Sequence, residues 1–263
     1  MQHIICRSCG KKIDITDGAL EVKCTFCAVN NKISRPIYDK NGKPLPDMTP
    51  MSFDGEYKTK ILIVRHGESV GNAERRFLGH TDKDLSERGY LQAARTAEFL
   101  KNENIDAIYS SSLIRAYNTA KPHAELRGLD VITSDNLREI YAGKWENLLV
   151  TEIIAGWESE FIGGWRENFG TYTLPDGESV IHAGERMYAE VKRIAEKNIG
   201  RTVLIGTHAA VIRAFFGKIL KIPAEELAAR CNFPTNASVS VVYYDGKDLI
   251  PGEYSHDAHL ADI

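Results

Sequence analysis

The chain has 263 residues, 43% of them hydrophobic, which is enough for one large core or two unequal ones. A formal charge of −3 supplies no field that would make nucleic acid or an anionic membrane the main partner. No apolar run approaches the roughly eighteen residues of a membrane span. The start, Met1-Gln2-His3-Ile4-Ile5-Cys6, lacks the basic and apolar regions of a secretion signal, so a soluble cytoplasmic protein is expected.

Residues 1–35 hold four of the five cysteines, as Cys6-x-x-Cys9 and then Cys24-x-x-Cys27. Two such pairs can wrap opposite sides of a tetrahedral ion, which points to a structural zinc site of four thiolates. Iron is a minor alternative, and two disulfides are the competing reading, disfavoured where no secretion signal is present. The segment resembles a zinc ribbon, and so short a module would draw most of its folding free energy from the metal. Arg7, Lys11, Lys12, Lys23, Lys32 and Arg35 stand against Asp14, Asp17 and Glu21. That balance permits an anionic partner without arguing for one, so a docking or oligomerisation module is expected and nucleic acid is disfavoured. Residues 36–57 carry Pro36, Pro44, Pro46 and Pro50 without any sustained period, and read as a semi-stiff linker. A larger domain then runs over 58–263.

That domain opens on Ile61-Leu62-Ile63-Val64-Arg65-His66-Gly67-Glu68-Ser69. Four apolar residues, three of them β-branched, predict a strand buried on both faces. It ends in a cation and an imidazole, poorly placed for packing but well placed for chemistry, because ligands bind beyond the carboxyl ends of strands in open α/β sheets. Gly67 would let the backbone turn and approach a ligand closely. Val70 to Asp84 reads as a polar loop, and Ser86 starts a helix with Leu91, Ala94, Ala97 and Leu100 on one face. Ile105 to Tyr109 predicts a strand that runs into Ser110-Ser111-Ser112 and a helix carrying Arg115. Val131-Ile132-Thr133 is a short strand. The segment 146–176 reads as an irregular insertion whose Trp157, Phe161, Trp165, Phe169 and Tyr172 form a small core, with a few rings left for substrate. A long helix follows over 178–198. Thr202 to Ala210 is a second apolar run ending in a histidine, His208, and it leads into a helix over 211–220. Ser238 to Tyr244 predicts a last strand, and Cys231 reads as a packed thiol. Strand and helix alternate, so the expected fold class is α/β: a three-layer α/β/α domain on a mostly parallel sheet, preceded by the zinc-ribbon-like module.

Four segments carry a family resemblance: Arg65-His66-Gly67-Glu68-Ser69, the helix start Ser111-Ser112-Leu113-Ile114-Arg115-Ala116, the loop Leu137-Arg138-Glu139 closing in Gly143-Lys144-Trp145-Glu146, and Thr207-His208. Together and in this order they resemble the histidine phosphatase superfamily, the phosphoglycerate mutase-like fold, from about Lys58 onward. The resemblance implies a phosphohistidine mechanism without a catalytic metal or other cofactor. His66 would be the nucleophile, since a neutral imidazole has a lone pair to offer near pH 7. Arg65 and Arg115 would grip phosphate oxygens, His208 would donate to an equatorial oxygen, and Asn72 and the Ala209 N–H would add donors. Glu139 would be the general acid, with Glu178 in reserve. Selectivity would lie in the insertion.

The expected activity is hydrolysis of a small-molecule phosphate ester. Two alternatives stand beside it. Mutases of the family carry Trp-Asn after the first motif and Arg-His-Tyr-Gly after the acid, where this chain has Val70-Gly71-Asn72 and Ile140-Tyr141-Ala142-Gly143. An adaptor that only binds phosphorylated ligands would be expected to have lost a core histidine, arginine or acid, and this chain retains them.

Overall fold

The computed structural model describes residues 56–263 and, nearer the N-terminus, the backbone of four short strands. The chain divides into two compact units, 1–47 and 48–263. In the first, strand β1 (Gln2–Ile5) pairs antiparallel with β2 (Lys12–Ile15), and β3 (Glu21–Lys23) pairs antiparallel with β4 (Asn30–Lys32). Cys6, Cys9, Cys24 and Cys27, expected to hold zinc, lie outside the described residues, as does the expected linker up to residue 55.

The second unit begins with β5 (Thr59–Arg65), the short helix α1 (Val70–Ala73), the two-residue strand β6 (Arg76–Phe77) and helix α2 (Glu87–Phe99). The stretch 70–84 is thus more ordered than a polar loop. Next come β7 (Ala107–Ser111), α3 (Ile114–Glu125), β8 (Val131–Ser134), β9 (Leu148–Leu149) and α4 (Val150–Ser159). The chain ends with α5 (Val180–Lys197), β10 (Arg201–Thr207), α6 (Ala209–Ile219), α7 (Leu227–Arg230), β11 (Val239–Tyr244) and β12 (Leu249–Pro251). Helices α2 and α5 start where serines can cap them: Ser86 accepts from the Gly89 N–H and Ser179 from the His182 N–H.

The main sheet runs in the order β12-β11-β5-β10-β7-β8. Strands β5, β10, β7 and β8 are parallel, while β11 pairs antiparallel with β5 and β12 antiparallel with β11 at one side. Successive residues of β5 serve opposite faces, as the pleat requires. Ile61 and Ile63 join a cluster with Met187 and Val191 of α5 and Val211 and Phe215 of α6. Leu62 and Val64 join another with Leu100, just beyond α2, and Ala120 and Ala124 of α3. Helices therefore cover both faces, giving the three-layer α/β arrangement. Among the described residues no helix is long and apolar enough to cross a membrane.

The insertion is helical rather than irregular. Helix α4 kinks at Trp157 and passes into wider π-helical turns over Glu160–Glu167. Trp157, Phe161, Trp165 and Phe169 recur every four residues, a helical spacing, but the kink at Trp157, the π turns and a final 3-10 turn divide them among short pieces. Their rings do not make a private core: Phe161, Trp165 and Phe169 are buried in the main cluster with Trp145.

Candidate active site

The two histidine-ending strands are neighbours in the sheet, and their register pairs Arg65 with Thr207. The residues that follow, His66 and His208, must then lie side by side, and their ring centroids are 5.1 Å apart. The His66 N–H donates to the Thr207 carbonyl at 2.9 Å, tying the two strand ends together. A cleft of about 210 Å³ opens at this point, lined by Arg65, His66, Asn72, Arg115, Glu139 and Ala209 among others. Each of these was predicted, and His208 is fully buried beside His66. Gly67 also has a packing reason to be glycine. A Cβ there would lie 2.5 Å from the Gly89 carbonyl oxygen, so glycine lets α2 pack against the loop.

His66 Nδ1 lies 2.6 Å from the Gly67 carbonyl oxygen, which can only accept, so Nδ1 carries the proton and Nε2 keeps its lone pair. Burial, then the charges of Arg115 and Arg65, hold the ring well below the ordinary imidazole value, so it is neutral near pH 7. His208 is held down by burial first and then by Arg115, and its Nε2 lies 2.8 Å from the Ser111 hydroxyl oxygen. Arg65 donates from Nη1 to the Pro234 carbonyl at 2.6 Å, and burial lowers its pKa to about 10, which leaves it charged. Arg115 donates to the carbonyls of Thr81 and Gly79 at 2.9 and 2.7 Å, which fixes its guanidinium plane. Arg65 Nε, Arg115 Nε and His208 Nδ1 are buried without any hydrogen-bond partner. Buried donors left unpaired are costly in a finished fold. Three of them lie on residues at or beside this one cleft, which makes it a candidate anion site.

Glu139 reaches the start of α6, where Oε2 accepts from the Ala210 N–H at 3.1 Å and Oε1 from the Val211 and Ile140 N–H groups at 3.0 and 2.9 Å. Its loop is held from outside: Arg186 donates to the carbonyls of Asn136, Arg138 and Glu139. Glu178 is the partner of that arginine, at 2.9 Å, and also accepts from the Tyr141 N–H. Burial pushes the Glu178 carboxyl up, but the bonds and charge of Arg186 outweigh it and the net direction is down. Glu178 is thus bound to an arginine and does not line the cleft, which favours Glu139 for the acid role.

Other residues at the site carried no predicted role. Glu146, the last residue of Gly-Lys-Trp-Glu, accepts from the N–H groups of His80, Thr81 and Ala142 and from the Thr81 hydroxyl. It thereby locks the loop that holds Arg115 to the loop that carries Glu139, and its place in a quoted motif was the available signal. Asn236 touches both His66 and Asn72. The outer part of the cleft is walled by Phe77, Trp165 and Phe233, with Arg76 beside them. Phe77 and Trp165 meet edge to face at 4.9 Å, and the Arg213 guanidinium sits 4.3 Å from both the Phe169 and the Phe233 ring. No local pattern in the sequence joins these rings.

The profile of the histidine phosphatase superfamily, branch 1, matches residues 61–251. Phosphoserine phosphatase 1 of Hydrogenobacter thermophilus is 32% identical over 205 residues, covering 78% of this chain and 95% of that protein. Phosphoglycerate mutase-like protein 4 of Arabidopsis thaliana is 35% identical over 212 residues, covering 78% of this chain and 89% of its own length. Among solved structures, a mycobacterial glucosyl-3-phosphoglycerate phosphatase in complex with VO3 superposes with a TM-score of 0.67 at 28% identity, over 75% of this chain and 99% of that one.

Proposed function

The chain belongs to the histidine phosphatase superfamily and is a phosphatase of small phosphate esters, and from that premise we propose that it works through a phosphohistidine on His66 with no catalytic metal. The observation that carries the mechanism is the trio of unpaired buried donors, Arg65 Nε, Arg115 Nε and His208 Nδ1, around a cleft that also presents a neutral imidazole lone pair. The ester's phosphoryl oxygens would take these donors. The permanent charge of Arg65 and Arg115 does the work that divalent ions do elsewhere. His66 Nε2 attacks phosphorus as the bond to the ester oxygen breaks, and Glu139 gives that oxygen its proton. Water then attacks phosphorus, the phosphorus–nitrogen bond breaks, and Glu139 takes the water's proton back. Ser111 donates its hydroxyl proton to His208 Nε2, which leaves Nδ1–H as the donor to phosphate.

The outer wall supports an organic group with a flat or apolar face, packed against Phe77, Trp165 and Phe233. The relatives' names suggest phosphoserine and phosphoglycerate esters as first natural substrates to try. The mutase-like relative makes isomerisation of phosphoglycerate the second reading, and release of free phosphate separates the two.

Residues 58–263 form the catalytic domain in this reading, and residues 1–35 a zinc-ribbon module for docking or oligomerisation. Cys6-x-x-Cys9 falls between β1 and β2 in the sequence, and Cys24-x-x-Cys27 between β3 and β4. Two hairpins, each with two thiols between its strands, suit a tetrahedral zinc ion. The zinc would be structural, and one equivalent per chain is the expected result of metal analysis.

The test of the main reading is hydrolysis of an aryl phosphate in excess chelator by the protein and by His66→Ala. Chelator-resistant activity that vanishes in the variant supports it. A folded wild type that releases no phosphate from aryl phosphate, phosphoserine or 3-phosphoglycerate overturns it.

A further inference from the structure

The segment from Phe233 to Ser238 comes from the far end of the sequence and meets the catalytic loop at several points. The Pro234 carbonyl accepts from Arg65, the Ser238 carbonyl accepts from the Arg65 N–H, and the Ala237 N–H donates to the His66 carbonyl at 3.2 Å. At its centre, Asn236 Nδ2 donates to the His66 carbonyl at 3.1 Å and to Asn72 Oδ1 at 3.2 Å. A carboxamide nitrogen has two hydrogens, and both are used here.

The consequence falls on Asn72. Its Oδ1 also accepts from the Ser69 N–H at 3.2 Å, so both oxygen lone pairs are taken. Rotating the Asn72 amide by half a turn would set its NH2 group against two other donors. The oxygen is therefore fixed toward Ser69 and Asn236, and the NH2 end is left for the cleft that Asn72 lines.

The backbone next to Asn236 shows what the arrangement demands. Ala237, fully buried, is held at φ +56°, a conformation that an L-residue with a Cβ rarely adopts. Its carbonyl lies 3.0 Å from the Thr96 hydroxyl, whose single proton is shared with the Gln92 carbonyl at the same distance. Strain of this kind persists only where the surroundings over-determine it, and it collects at functional sites.

We propose that Asn236 is a positioning residue for phosphoryl transfer, acting through Asn72: it holds the Asn72 amide with its N–H donors toward the bound phosphoryl group. The proposal deepens the phosphatase reading and rests on the same site. Asn236 itself need not touch substrate.

A double-mutant cycle tests it. Asn236→Ala, Asn72→Ala and the double variant of the full chain are compared for kcat/KM on an aryl phosphate and for the Kd of inorganic phosphate, with melting curves to establish folding. Asn236→Ala should lower kcat/KM by about ten- to a hundredfold, the scale of a misplaced catalytic donor. With Asn72 already alanine, the same change should cost no more than about threefold, and the phosphate Kd should show the same non-additivity. Equal losses in both backgrounds, or no loss in the first, would overturn the proposal. Asn236→Ser, which is too short to reach Asn72 Oδ1, repeats the cycle should the alanine variant fail to fold. Because phosphate binding is read without turnover, the cycle decides the role of Asn236 even if the protein hydrolyses no ester.

Discussion

The two halves of the cleft are built on different principles. The inner half takes its groups from the carboxyl ends of β5 and β10 and the start of α3, in short runs where the proposed catalytic residues are neighbours in sequence. Its donors are fixed by backbone carbonyls: Gly67 holds His66, Pro234 holds Arg65, and Gly79 and Thr81 hold Arg115. The outer half is assembled from side chains far apart in sequence, Phe77, Trp165 and Phe233, and is held by ring contacts and the buried Arg213. A rigid polar floor suits a reaction whose geometry cannot vary. A wall of dispersion contacts suits a substrate body that differs among relatives. The floor should govern kcat and the wall KM.

The largest effect should come from the floor. His66→Ala should lower kcat by at least about a thousandfold on every ester, because it removes the atom proposed to take the phosphoryl group. Single-turnover assays would read it, and a variant within tenfold of wild type would move the nucleophile elsewhere. Glu139→Gln should come next, with a loss of about 10²–10⁴ in kcat on alkyl phosphates. In kcat/KM, which reads only the first transfer, the loss on aryl phosphates should be much smaller, since a phenolate leaves without help. Equal losses in kcat/KM on both classes would mean that Glu139 does not protonate the leaving group.

The same division decides what the sequence could disclose. Strand ends with Arg-His-Gly and Thr-His, the Arg115 helix start and the Leu-Arg-Glu loop were legible because each is a local pattern whose chemistry conflicts with burial. The adjacency of His66 and His208 follows once β5 and β10 are neighbours in a parallel sheet. Asn236 was not legible: its partners lie 170 and 164 positions away, and an asparagine before a strand looks like turn chemistry. Glu146 closes the Leu-Arg-Glu loop, but its three bonds to His80 and Thr81 of another loop appear only in three dimensions. The insertion reads as irregular although its aromatics recur at a helical spacing; the kink at Trp157 and the π turns after it are not visible in that spacing. The pairing of Glu178 with Arg186, eight positions on, could not be assigned from spacing alone.

A third prediction tests the wall. Phe233→Ala should raise KM on aryl phosphates by roughly two- to tenfold, the range expected for one ring contact of about 0.5–1.5 kcal/mol, with kcat within twofold of wild type. Phe233 is 39% exposed, so the variant should keep its stability. A fall in kcat instead would show that the wall also aligns the ester with the floor.

The smallest effect concerns a histidine that shares one property with the floor. His123 of α3 is fully buried and both its ring nitrogens lack partners, as His208 Nδ1 does. It does not line the cleft, so no ligand explains its missing bonds, and it should contribute to acid sensitivity alone. Burial first, then Arg127 and His259, lowers its pKa to about 3 from an ordinary 6.5. Between those values the unfolded chain binds a proton that the folded chain refuses, so stability is complete above about pH 6.5 and is lost as pH falls below it. The loss approaches about 1.4 kcal/mol per pH unit, or roughly 2 kcal/mol at pH 5. His123→Leu should remove that loss. Its urea midpoint should match or exceed wild type at pH 7 and pull ahead at pH 5, with kcat/KM unchanged within twofold. If the gap between the two proteins did not widen on acidification, His123 would be finding a proton acceptor in the folded state. A lost kcat/KM would tie it to the floor after all, and unpaired buried nitrogens would then mark the site wherever they occur.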